Sequence, residues 1–420
     1  MRKVSPLIAY CLLLATPLVA QEKRLWVLRE PGEMVEYDVK TFAVKQTVKV
    51  PPAALKNPAA IEVNSLGQML FASAVSLPVA AEDVKAPHQV WFWDGHAAST
   101  IDQGVKREVS AVGSNQAVKE SAPNPSLSAD GKHLYWFANE ARRLQREEID
   151  LSTDTTWQAW RTDLCGGARE DLAKVSLPDC RCTTGTCSES CPYPAVWVPD
   201  AGADRFFLMT ELVTGQTDTR YQRSTRYQEQ GGKWTATALN KPLEHELDAS
   251  PTGDLVVDAI PDAGCCGWAN ASNDQTLLRS SGNTQVVFDE RATFKNPDYD
   301  VSFYTSNAKL SPDLGSIAIT IVSTAEANKP IQLSEDGQAN PEESQRIRKA
   351  LTELPAVEVK SIEDSPKRIA FVPHASLVGW LSDKELLIVE GHLLVTYHLG
   401  TGVRRKSTVK VEDVARVFLR

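Results

Sequence analysis

Cys265 and Cys266 stand side by side between Gly264 and Gly267, and Trp268 follows them. Adjacent cysteines can close a vicinal disulfide, a strained bond that is reduced more easily than an ordinary one. The flanking glycines permit the tight backbone this requires, and the indole could cover a ligand. Asp258, Asp262, Asn270, Asn273 and Asp274 lie around the pair. Their oxygens are hard donors of the kind that holds calcium. The same residue types also close loops by bonding their own backbone. No EF-hand spacing is present, so the pattern admits both readings.

Five more cysteines, Cys165, Cys180, Cys182, Cys187 and Cys191, fall within one stretch. The segment around them is rich in Thr, Ser and Gly and cannot order itself by burying apolar surface. Disulfide bridges, including bridges to Cys265 or Cys266, are the first expectation. Four thiolates this close could also surround zinc, although the run C-x-C-x4-C-x3-C lacks the paired C-x2-C knuckles of common zinc modules. Redox exchange is a third use. The chain has eight cysteines, and setting aside Cys11 in the leader leaves seven, an odd number with at least one thiol unpaired or paired between chains.

Catalytic signatures are missing from the sequence. It contains no G-x-S-x-G elbow, H-E-x-x-H helix, P-loop or dinucleotide fingerprint. Glu244-His245-Glu246 could orient an imidazole, yet a histidine between acids at a strand edge reads more simply as solvated structure. The expectation is a non-enzymatic binding scaffold with no resident cofactor. Its rival is an enzyme using loop acids, a calcium or zinc ion, or the Cys265–Cys266 redox pair. The pair resembles that of certain quinone-cofactor dehydrogenases, and the resemblance extends to nothing else.

These residues must be carried by strands. Seven strand–turn–strand units recur. They turn at Lys40-Thr41, at Asp94-Gly95, through Ser152–Asp154, at Gly231-Gly232, at Gly282-Asn283, through Glu363–Lys367 and through Gly400–Gly402. Such residues tolerate the dihedrals that tight turns require. The third unit is read as Glu147–Leu151 returning along Thr156–Arg161. Six of the seven are preceded by a polar turn and an apolar strand, as at Ser128–Lys132 before His133–Phe137. Together the units predict four-stranded antiparallel blades, hence an all-β, seven-bladed propeller, with six or eight blades as variants. The first hairpin has only Leu25–Leu28 before it, and the chain ends in an unpaired strand, Val414–Leu419. Joining the two completes a blade and protects both edges.

Ser311-Pro312-Asp313, Ser128-Ala129-Asp130-Gly131-Lys132 and Ser250-Pro251-Thr252-Gly253-Asp254 resemble the turns of TolB-like propeller repeats. That resemblance implies a periplasmic propeller, often a protein-binding scaffold. The α/β domain that precedes the propeller in TolB proper has no counterpart here.

Three long segments, 162–194, 261–275 and 323–356, interrupt the pattern. All are read as leaving one face of the disc, which predicts an elaborated binding face for an envelope protein or small ligand. The last of them holds one helix, begun by Asn340-Pro341-Glu342-Glu343 and stopped by Pro355. Arg2 and Lys3, the apolar run Leu7 to Val19 and the small Ala20 read as a cleaved export signal, which predicts a periplasmic or secreted propeller beginning at Gln21. No later stretch is long and apolar enough to span a bilayer. A net charge of -9 with both signs well mixed argues against nucleic acid or anionic lipid as a partner.

Overall fold

The computed structural model describes residues 23–55, 58–73, 90–96, 98–101, 109–112, 115–121, 126–128, 133–145, 156–163, 169–176, 194–197, 205–214, 218–230, 233–238, 246–250, 255–260, 275–279, 283–289, 298–335 and 337–420. Strand β1, Leu25–Arg29, is apolar and buried on both faces over its first four residues. That pattern belongs to a strand sandwiched between two neighbouring sheets. It pairs antiparallel with β2, Glu33–Tyr37, which pairs in turn with β3, Val44–Lys49. Gly32 makes the β1–β2 turn with φ +124°, and a Cβ there would meet Leu55 Cδ1 at 2.6 Å, so no larger residue fits.

The next sheet is β4 (Pro58–Val63), β5 (Met69–Ser73), β6 (Val90–Trp93) and β7 (Ala98–Ile101), in that order. A larger sheet follows. It comprises β8 (Val109–Val112), β9 (Asn115–Ser121), β10 (Ser126–Leu127), β11 (His133–Gln145), β12 (Thr156–Asp163) and β13 (Arg169–Ser176). Then come β14 (Pro194–Trp197), β15 (Arg205–Thr214), β16 (Asp218–Gln230) and β17 (Lys233–Ala238). Strands β18 (Glu246–Ala249), β19 (Val256–Ile260), β20 (Gln275–Arg279) and β21 (Thr284–Asp289) form another four-stranded meander. Two more follow: β22 (Phe303–Leu310), β23 (Ser316–Ser323), β24 (Ala356–Ser361) and β25 (Arg368–Pro373), then β26 (Ala375–Ser382), β27 (Glu385–Glu390), β28 (Leu393–His398) and β29 (Arg404–Lys410). The last strand, β30 (Val417–Leu419), leaves this succession and pairs with β1, Trp26 opposite Phe418. Arg24 and Arg420 extend the pairing by exchanging backbone hydrogen bonds at 2.6 and 2.9 Å. The strand starts three residues later than the sequence suggests, because Val414–Arg416 is a 3-10 turn capped by Asp413.

The apolar cores lie between sheets. Trp26, Leu28 and Met34 pack on Val63, Met69, Phe71 and Trp93 of the β4–β7 sheet. Leu25, Val27, Val35 and Tyr37 pack on Leu387, Leu394, Val409 and Val411 of the β26–β29 sheet. The sheet shared by the two termini therefore sits between the first complete sheet and the last. Further cores join β22–β25 to β26–β29 and β18–β21 to β22–β25.

Three strands that open their sheets, β4, β18 and β26, carry a latch to a neighbouring sheet. Glu62, two residues before the β4–β5 turn, accepts from Leu127 N at 2.7 Å. Asp248, at the same position before the β18–β19 turn, accepts from Leu310 N at 2.8 Å. Trp380 Nε1 donates to Lys309 O at 2.8 Å. The polar residue opening each turn closes it. Asn64 Oδ1, Ser250 Oγ and Ser311 Oγ accept from Gln68, Leu255 and Ser316 N, respectively.

One hairpin of the sequence reading is corrected. Glu147–Leu151, the partner expected for Thr156–Arg161, lies outside the described residues, and Thr156–Asp163 has other partners on both sides. It pairs with β11, His133 opposite Asp163, and on its other side with β13. Strand β13 lies inside the segment 162–194, which is therefore not one insertion. Arg169–Ser176 carries four charges among eight residues, a composition suited to an exposed edge and easily read as loop. The β8–β9 hairpin, whose β9 pairs with the far half of β11, was likewise not anticipated from its sequence. The helix α1, Pro341–Glu353, is where the sequence places it. Asn340 caps it by accepting from Glu342 and Glu343 N, and Ile347 and Leu351 are buried.

The β2–β3 turn has a measurable signature. Asp38 accepts from Thr41 N, Thr41 Oγ1 and Lys40 N. The Thr41 backbone bond foremost, with its hydroxyl and Lys40, lowers the carboxyl pKa from 3.8 to about 2. The folded value lies below the unfolded one, so the turn's stabilisation is complete above about pH 4 and is lost as pH falls through about 2. A carboxyl NMR titration should place Asp38 near 2. A midpoint near 4 would show the turn bonds absent.

Candidate functional site

In β1, the face of Leu25 and Val27 turns toward the β26–β29 sheet. Strict alternation puts residue 29 on that face too, and residue 29 is arginine. Its guanidinium carbon stands 5.2 Å from the Tyr37 ring centroid. Its Nε is buried and has no hydrogen-bond partner among the described residues. Tyr37 is 2% exposed, and its hydroxyl is likewise buried with no partner among the described residues. Burial raises the phenol pKa, and the nearby Arg29 charge opposes that rise.

Arg29 borders a cleft of about 340 Å³, within the range of small-molecule pockets. Val27, Leu28 and Glu30 complete the wall from β1 and its turn. Thr408 and Lys410, from the end of β29, face them, and Val411, Glu412 and Arg416 of the link to β30 close the end. Arg416 Nη1 meets Glu30 Oε1 at 2.6 Å across the mouth, and this bond raises the Arg416 pKa. Among the described residues no ion pair engages Arg29 or Lys410. The cleft therefore holds three cations and two carboxylates, in a chain of net charge -9.

Of the site residues singled out from sequence, Asp258 is described, as is Glu246 at the start of β18, whereas Glu244 and His245 lie outside the described residues. Asp258 sits on β19, 0% exposed, with Arg279 Nη2 of β20 2.8 Å from its Oδ2. Arg279 Nε and Nη1 are buried with no partner among the described residues. Asp262, Cys265, Cys266, Trp268, Asn270, Asn273 and Asp274 lie outside the described residues. So do Cys165, Cys180, Cys182, Cys187 and Cys191. The strands that flank them still amend the expectation of one cysteine-bearing insertion. Cys165 falls between β12 and β13, whose joined ends are Thr162 and Arg169. The other four fall after β13, which leaves the sheet at Ser176, opposite Thr156. The two exits are about 20 Å apart along the strand. Among the described residues no group of three metal-type side chains forms, and no described helix is long and apolar enough to cross a membrane.

A second group of charges surrounds the first strands. Lys23 lies near Asp248, Asp383 and Arg420, and its pKa is lowered chiefly by burial. Asp248 and Asp383 also hold the neighbouring backbone at Leu310 N and Asp313 N, a structural use. The Arg29 cleft was missed from sequence. Its signal was a charged residue at an inward position of a strand otherwise buried on both faces.

No family model matches the sequence, and no curated protein matches it. Among solved structures, the β-propeller domain of the Trilobed protease from Pyrococcus furiosus is 11% identical. That alignment covers 89% of this chain and 86% of that one, with a TM-score of 0.41. An acylaminoacyl peptidase from Pyrococcus horikoshii is 12% identical over 90% of this chain and 48% of its own, with a TM-score of 0.44. An oligogalacturonate lyase in complex with manganese is 14% identical over 91% and 86%, also at 0.44.

Proposed function

We propose that this chain is an exported, seven-bladed β-propeller of TolB-like repeats, sealed through its terminal strands, that acts as a binding scaffold in the cell envelope. The placement of the terminal sheet between the first and last complete sheets supports the ring. The observation that carries the binding role is the cleft between the β1–β2 turn and the β29–β30 link. In a four-stranded blade, second-to-third turns and blade-to-blade links leave from the same face. The cleft therefore belongs to the face from which the segments 177–193, 261–274 and 324–355 depart. Ligands are held where connections converge on a rigid scaffold.

A photo-cross-linking residue at Thr408, on the cleft rim, tests this in envelope extract. The control position is Thr401, at the other end of β29. A discrete adduct at 408, displaced by excess unmodified protein and absent at 401, is the expected result. Equal labelling at both positions, or none at 408, would overturn it.

A further inference from the structure

We infer that the cleft holds an oxyanion, the carboxylate or phosphate group of a small molecule, with Arg29 as its principal contact and Lys410 as its second. This rests on reading the cleft as a binding site, and it adds the chemical class of the occupant. Arg29 is half-buried in the cleft wall, its Nε shielded and without a hydrogen-bond partner among the described residues, and a partly desolvated guanidinium with no counter-charge is unfavourable. An oxyanion supplies what is missing: charge, and acceptors that match the guanidinium fork. The Tyr37 ring holds the guanidinium in place by a cation–π contact, which supplies no hydrogen-bond acceptor and no counter-charge.

The remaining cleft residues refine the assignment. Arg416 is matched by Glu30 and adds little net charge at the mouth. Lys410 is exposed on the opposite wall and carries no ion pair among the described residues. Glu412 opposes a second negative group, so a ligand of low charge fits better than a polyanion. The cleft is larger than a bare ion requires. Val27, Leu28 and Val411 offer apolar wall to the rest of the molecule.

The test uses the full chain with two probes, inorganic phosphate and hexanoate, against sodium chloride at matched ionic strength. Binding is read by calorimetry and by the ¹⁵N resonance of the Arg29 Nε–H group. At least one probe should bind and shift that resonance where chloride does not. Phosphate alone responding assigns a phosphate ligand, and hexanoate alone a carboxylate. Arg29→Met should weaken binding by about tenfold or more. Arg29→Lys should restore only part of it, since an ammonium lacks the fork. Should Arg29→Met fail to fold, Lys410→Met serves instead, because its side chain is exposed. Weakening by about threefold at an unchanged melting temperature is expected there. Neither probe binding beyond chloride, or unchanged affinity in these variants, overturns the assignment. If the Thr408 adduct persists in that case, the cleft still binds, but not an oxyanion. If the adduct is also absent, both readings fall.

Discussion

Replacing Arg279 by methionine should lower the stability of the chain by about 3 kcal/mol or more. Asp258 is 0% exposed, and Arg279 Nη2 sits 2.8 Å from its carboxylate. Removing the cation deprives a buried carboxylate of a counter-charge at 2.8 Å, and desolvation then outweighs what remains. The double variant Asp258→Asn, Arg279→Met should recover much of the loss, because the amide carries no charge to strand. Urea unfolding of the two variants and the parent checks this. A single-variant loss under about 1 kcal/mol would mean that the pair contributes little. The pair also bears on the calcium reading of this region, because any cation bound by Asp258 would have to compete with the guanidinium.

Removing residues 417–420 should have the larger effect. The deletion strips β30 from β1 and exposes the edge of its apolar residues Leu25–Val27. It also removes Phe418, 8% exposed, from the cluster that holds Trp26 and Trp93. The substitution Phe418→Ala alone should cost about 3 kcal/mol. Trp26 is 0% exposed, so its emission should shift to the red if the sheet opens. Thermal melts followed by tryptophan fluorescence compare the deletion, the substitution and the parent. An unchanged melting temperature in the deletion would show that the terminal pairing does not hold the structure.

How much of this was legible depended on how each strand is packed. Strands buried on both faces, such as Leu25–Leu28 and Leu386–Ile388, appear as apolar runs between turn residues, and their positions follow from the sequence. The β2–β3, β6–β7, β16–β17, β20–β21, β24–β25 and β28–β29 hairpins pair as expected. Strands β9 and β13 are rich in polar and charged residues, β8 has only four residues, and none of the three carries the apolar run that marks a strand packed between sheets. The error at Thr156 follows directly, since β11 and β12 are joined by more residues than a tight turn allows and a nearer partner looked more suitable. The cysteine segment then gained a strand that the sequence had hidden.

The sequence by itself determined the repeating strand–turn unit, the serine and asparagine that close its turns, the helix cap at Asn340 and the pairing of the two ends. These are local or strictly periodic features, fixed by dihedral preference, hydrogen bonding of neighbouring residues and alternation of apolar side chains. Only the tertiary structure decided that Asp258 is matched by Arg279 and that Arg29 faces a cleft with an unsatisfied nitrogen. Electrostatic partnership falls off over a few ångströms in space, whereas the residues concerned lie 21 positions apart in one case and about 380 in the other. No pattern along the chain records which charge meets another once the sheets have stacked.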